Sequence, residues 1–68
     1  MNFRENLKEL RIKSNLTQQQ LSNLLKIPLK TYRHYEQGES KTISFELLEK
    51  LTQVLNCSYN ELLKEKGK

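Results

Sequence analysis

A single cysteine (Cys57) and a single histidine (His34) in 68 residues leave this chain without the staples that many small domains rely on. One cysteine forms no internal disulfide framework, and one cysteine with one histidine makes no zinc ligand cluster. A chain of this length buries only about 60% of its unfolded surface, so well-packed helices must carry the fold. The residues supplied agree. Thirteen are leucine, against two glycines and one proline, and leucine, lysine, glutamate and glutamine all favour the helix. An all-α fold is expected, as one small unit over residues 1–68 with a frayed tail from about Lys64 to Lys68. An apolar share of 35% excludes a disordered chain.

Several function classes fall on the same evidence. The start, Met1 to Asn6, lacks the apolar centre of a signal peptide, and no apolar run approaches the roughly eighteen residues of a membrane span. A soluble, cytoplasmic protein with a reduced Cys57 is expected. The sequence contains no aspartate and no glycine-rich phosphate loop. Neither His34 nor Cys57 has a neighbour that would make a nucleophile–base pair. No enzymatic activity, cofactor, metal or small-molecule ligand is expected.

Charge placement gives the first positive indication. The net charge is +4, yet between Leu10 and Tyr35 lie five basic residues (Arg11, Lys13, Lys26, Lys30, Arg33) and no acid. From Ser44 onward four lysines and four glutamates cancel. One end of the molecule is basic and the other neutral, as expected of a protein that meets a polyanion with one face. A lysine-rich solvated surface is the plainer reading of the same charges.

Start and stop signals divide the chain into five short helices. Phe3, Leu7 and Leu10 form one stripe of a first helix, about Phe3 to Lys13, and Ser14-Asn15 ends it with Leu16 turned back to the core. Thr17 and Gln20 have capping-box spacing for a second helix that buries Leu21, Leu24 and Leu25. After a short turn at Lys26-Ile27, Pro28 opens a third helix, about Leu29 to Glu36, which stops at Gly38. A polar loop from Glu39 to Ile43 follows. Ser44 caps a fourth helix bearing Leu48, Leu51 and Leu55, and Asn56 ends it. Ser58 and Glu61 make a second capping box, opening a fifth helix with Leu62 and Leu63.

The third helix has an unusual outer face. At about 100° per residue, Leu29, Lys30, Arg33, His34 and Gln37 fall within one arc of about 140°, with Tyr32 and Tyr35 opposite. A leucine, two cations, an imidazole and an amide are a suitable set for reading base edges. Arginine and lysine donate to guanine O6 and N7, and an apolar group meets the thymine methyl. Gln18 and Gln19 open the preceding helix, where side chains reach a backbone phosphate or an outer base.

The run from Leu21 to Gly38, flanked by Leu10-Arg11, Thr17 to Leu21 and Ser44 to Leu55, resembles the phage repressor and Cro type of helix-turn-helix family over about residues 3–63. That resemblance implies a five-helix, lambda-repressor-like domain. It further implies DNA binding through the third helix in the major groove, and transcriptional regulation, most often repression. Residue by residue, Gln18 matches a position touching a phosphate or outer base, with Gln19 beside it. Leu29, Lys30, Arg33 and His34 match base-reading positions. Thr17, Thr31, Gln37 and Lys41 are candidate phosphate contacts, and Gly38 shares the Lys41 loop. Arg11 and Glu36 match a structural ion pair. The sequence departs from the family at Lys26, where glycine is usual, at Pro28, where serine or threonine caps the helix, and in a longer Gly38–Ser44 loop.

The partner expected is double-stranded DNA, bound by a homodimer, either preformed or assembled only on the DNA, through Tyr59, Leu62 and Leu63 with the Val54-Leu55 region. The alternative is an antitoxin-like interaction module that binds DNA only with a partner protein.

Overall fold

The computed structural model describes residues 3–37 and 43–64. Among these residues the structure is all-helical: α1 (Phe3–Lys13), α2 (Gln18–Leu25), α3 (Leu29–Gln37), α4 (Phe45–Leu55) and α5 (Tyr59–Leu63). Gly38 and Lys41 lie outside the described residues.

The starts of α2 to α5 are set by local signals. The Thr17 side chain accepts from the Gln20 backbone N–H at 3.0 Å, while the Gln20 side chain accepts from Thr17 N–H at 2.8 Å. Ser58 and Glu61 repeat this arrangement at 3.1 and 2.9 Å, and Ser44 accepts from the Leu47 N–H at 3.0 Å. These bonds satisfy donors that a helix start leaves without partners. Pro28 stands just outside α3, its carbonyl accepting from the Tyr32 N–H at 3.0 Å. α3 runs one residue beyond the expected Glu36, to Gln37.

Three turns among the described residues use left-handed residues that are not glycine: Asn15 (φ 60°), Lys26 (φ 62°) and Asn56 (φ 54°). Asparagine tolerates this region; lysine pays for its Cβ there. Lys26 is held by its N–H bond to the Asn23 carbonyl at 3.1 Å, and Ile27 N–H caps the Ser22 carbonyl at 3.0 Å. These bonds close α2 and aim the chain into α3.

All five helices contribute to one core: Phe3 and Leu7, Leu21 and Leu25, Tyr32, Leu47, Leu51 and Leu55, and Leu62. α3 packs on α1 and α2, α4 on α2 and α5, and α5 on α1. Two leucine assignments change. Leu24 is 52% exposed, because α2 turns Leu21, Ser22 and Leu25 inward. The small Ser22 side chain is buried at no polar cost, since its hydroxyl donates to the Gln19 carbonyl at 2.8 Å. In α4, Leu47 leads the buried stripe with Leu51 and Leu55, and Leu48 sits at its edge, partly buried against the core.

The end of α5 is tied to α1 by a side chain. The Lys64 backbone N–H donates to the Asn60 carbonyl at 2.9 Å, and the rest of the expected tail, 65–68, lies outside the described residues. The buried Asn6 amide donates to the carbonyls of Leu62 and Lys64, both at 2.8 Å. One side chain of α1 thus satisfies the end of α5, which would otherwise bury bare acceptors.

The left-handed Lys26 makes a stability prediction. Lys26→Gly is expected to stabilise the fold by about 0.5–1 kcal/mol, since relief of Cβ strain exceeds the added freedom of the unfolded chain. A higher urea midpoint at unchanged slope is the expected readout; an unchanged or lower midpoint contradicts it.

Candidate nucleic-acid interface

α2, the turn at Lys26 and α3 form two helices joined by a short connection. What distinguishes α3 is how its two sides are used. Tyr32 is fully buried and Tyr35 packs partly buried against the core. On the opposite side Lys30, Arg33 and Gln37 are exposed, and Leu29 and His34 are half-buried. The structure therefore brings the five expected face residues onto one accessible side of one rigid helix. Thr31, on the flank, is half-buried.

The inner edge of α3 is fixed by one carboxylate. Arg11 Nε donates to Glu36 Oε2 at 2.6 Å and Arg11 Nη2 to Oε1 at 3.4 Å. Gln18 Nε2 donates to Oε1 at 3.0 Å, and the Tyr32 hydroxyl donates to Oε2. Tyr32 stands one turn before Glu36 on the same helix, whereas Arg11 comes from α1 and Gln18 from α2. Arg11 also donates through Nη1 to the Leu16 carbonyl at 2.8 Å, bracing the connection into α2. The Arg11 and Glu36 side chains are only 12% and 4% exposed.

Protonation states follow from these contacts. Burial opposes ionisation of Glu36, but the hydrogen bonds from Arg11, Tyr32 and Gln18 outweigh it and hold the carboxyl below the usual range. The Glu36 hydrogen bond raises the Arg11 pKa further, against burial. Burial and the adjacent carboxylate push the Tyr32 phenol well up, so it stays a donor. The Cys57 thiol is also pushed up, by burial and by the charge of Glu61, so it remains a poor nucleophile.

The start of α2 lies beside this carboxylate. Its capping box occupies the N–H groups of Thr17 and Gln20, while those of Gln18 and Gln19 have no partner among the described residues. Two outward N–H groups at the positive end of a helix suit a phosphate oxygen. The Gln18 side chain is committed to Glu36, and Gln19 Nε2 donates to Asn23 Oδ1 at 3.0 Å. Sequence alone left both glutamines without a partner, because the contact of Gln18 lies in another helix.

The starts of α4 and α5 carry an aromatic pair that the sequence reading missed. Phe45 is 69% exposed and Tyr59 38% exposed, and their rings stack 5.8 Å apart with planes inclined by 15°. Leu63, 37% exposed, follows on α5. Leu62 and Leu55 are buried in the core and so are not available to a partner, contrary to expectation; Val54 is only partly buried.

Among the described residues no group of three metal-ligating side chains exists, and no helix is long and apolar enough to cross a membrane. A helix-turn-helix family model matches residues 7–62. No curated protein and no solved structure matches the chain.

Glu36 yields a prediction about pH. Its carboxyl releases its proton more readily in the folded chain than in the unfolded one. The stability this contributes is complete above the unfolded pKa, about 4.3, and is lost as pH falls through the lower folded value. Between these values the unfolded chain binds more protons, so stability rises with pH. Glu36→Gln is expected to destabilise at neutral pH by about 3 kcal/mol, as it leaves Arg11 unpaired, and to flatten the acid limb of stability against pH. An acid limb unchanged in that variant contradicts the assignment.

Proposed function

The chain belongs to the helix-turn-helix family, and we propose from that premise that it is a sequence-specific DNA-binding transcription regulator, acting in the cytoplasm as a repressor. The observation that carries this reading is the outer side of α3. Leu29, Lys30, Arg33, His34 and Gln37 share it, while Tyr32 and Glu36 pin the helix from behind.

In this reading α3 enters the major groove. Arg33 and Lys30 donate to purine edges, and Leu29 meets a thymine methyl. His34 completes the reading set. Gln37 and Thr31 approach the backbone at the flanks, and the outward N–H groups of Gln18 and Gln19 hold a phosphate. Phosphate contacts supply much of the affinity and make it fall steeply with salt.

We further propose that two copies pair on an inverted repeat, with α3 helices about 34 Å apart. The surface for this is Phe45, Tyr59 and Leu63. Apolar groups this exposed are costly to leave in water, and aromatic side chains are enriched in the centres of interfaces. A partner protein covering the same surface is the competing arrangement, and a single copy per duplex in the purified protein would favour it.

Selection from a random duplex pool with the chain alone tests the reading. An inverted repeat is the expected product; binding without sequence preference overturns it. On the selected duplex, Arg33→Ala is expected to cost about 1–3 kcal/mol and to relax preference at one base pair. A uniform loss over all sequences would make Arg33 a phosphate contact instead. The double variant Phe45→Ala, Tyr59→Ala is expected to weaken binding to the full repeat while leaving half-site binding intact. Equal weakening of both contradicts the pairing surface.

A further inference from the structure

Leu63 belongs to the surface assigned above to pairing, and the backbone on both sides of it is held from another helix. We infer that Asn6, on α1, is the positioning residue of that surface: its amide fixes how α5 presents Tyr59 and Leu63 to a second copy of this chain. This rests on the reading of Phe45, Tyr59 and Leu63 as the pairing surface.

The clamp is a single planar group. Asn6 Nδ2 donates to the Leu62 carbonyl and to the Lys64 carbonyl, both at 2.8 Å, and these two residues flank Leu63. The helix stops at Leu63, and Lys64 takes an extended conformation (φ −64°, ψ 151°). Both carbonyls thus meet one amide at the place where α5 ends. Leu62 is fully buried, and the next helical residue lies about 100° round the axis, so holding residues 62 and 64 sets where Leu63 points.

α5 has little else to seat it. It has five residues, too few for a helix to persist alone, and Leu62 is its one fully buried side chain. A single apolar anchor lets a short helix roll about its own axis, whereas two hydrogen bonds to its end do not. The pairing surface spans two helices, with Phe45 on α4 and Tyr59 and Leu63 on α5. A roll of α5 would move Tyr59 off the Phe45 ring, which it stacks on at 5.8 Å, and would turn Leu63 with it.

The chemistry of the clamp calls for asparagine. Asn6 is 2% exposed, and its Oδ1 is buried with no hydrogen-bond partner among the described residues. A bare buried acceptor is destabilising, so the donors of this side chain, and not its volume, account for it. Two carbonyls that converge on one point need two N–H donors on one short neutral group. Serine supplies one donor and an ionised aspartate none. With both amide protons engaged, the group cannot turn over without setting its oxygen against those carbonyls.

The test compares affinity for a duplex carrying the full inverted repeat with affinity for a single half-site, folding being checked by circular dichroism. Asn6→Asp keeps the size of the side chain and, when ionised, removes both donors. It is expected to weaken full-repeat binding by about tenfold, the effect of about one hydrogen bond, and to leave half-site binding unchanged. Asn6→Ser keeps one donor; it is expected to fall between, and it decides the matter if Asn6→Asp fails to fold. Leu7→Val loosens the core on the same helix without touching the clamp, and is expected to leave the ratio of the two affinities as in wild type. Equal weakening of both duplexes by the Asn6 variants, no change in either, or a ratio shifted as far by Leu7→Val overturns the inference. The pairing surface itself stands or falls separately, on whether Phe45→Ala with Tyr59→Ala weakens the full repeat alone. If that double variant weakens both duplexes equally, the surface and the role of Asn6 are overturned together.

Discussion

The carboxylate of Glu36 is the constraint on which this small molecule turns. It receives Arg11 from α1, Gln18 from α2 and Tyr32 from its own helix, so three helices are referenced to one pair of oxygen atoms. Burying a charge is expensive, and an apolar replacement of a buried ion pair is often no less stable. What such a replacement lacks is direction. Apolar surfaces slide and rotate against each other at small cost, whereas two oxygen atoms with four donors permit one arrangement. Every partner must be present, since a half-satisfied polar group costs more than none. The angle at which α3 faces outward is therefore set by the same contacts that close its inner side.

Around this hub the apolar core is modest, and the chain compensates locally. Three of the four connections turn at a left-handed residue, Asn15, Lys26 or Asn56, and three helices begin with a serine or threonine cap. Each cap contributes about 1 kcal/mol, and each cap or turn specifies where a helix begins or ends. Asn6 serves similarly across a long span of chain, joining α1 to the end of α5. In a molecule without disulfides, precision of this kind keeps a functional face rigid.

How much of this is readable in the sequence depends on distance along the chain. Both capping boxes, the Ser44 cap and the Asn56 turn are contacts between near neighbours, and their spacing shows them. The two faces of α3 follow from helical period and from the tyrosines opposite the cations. Leucine-rich stretches are less legible. Leu24 and Leu25, or Leu47 and Leu48, are equivalent to a periodicity argument, and the buried Ser22 that decides the face of α2 carries no apolar signal. The Gln18–Glu36 and Asn6–Leu62 contacts join residues far apart in sequence and need the folded chain to be seen. Exposed Phe45 and Tyr59 went unread as a pair for the same reason. The Arg11–Glu36 pair was reached only through a family resemblance, because nothing in local spacing joins those two positions.

The central claim is that the outer side of α3, with the start of α2, is the surface that meets DNA. Its most direct test is to titrate isotope-labelled protein with a short duplex at about 0.15 M salt and follow the backbone amide and side-chain resonances of each residue. The account predicts that the largest shifts fall on Leu29, Lys30, Arg33, His34 and Gln37 and on Gln18 and Gln19, while Phe45, Tyr59 and Leu63 respond only when the duplex carries two half-sites. Shifts centred on α4 and α5 with a single half-site, and a silent α3, would contradict it.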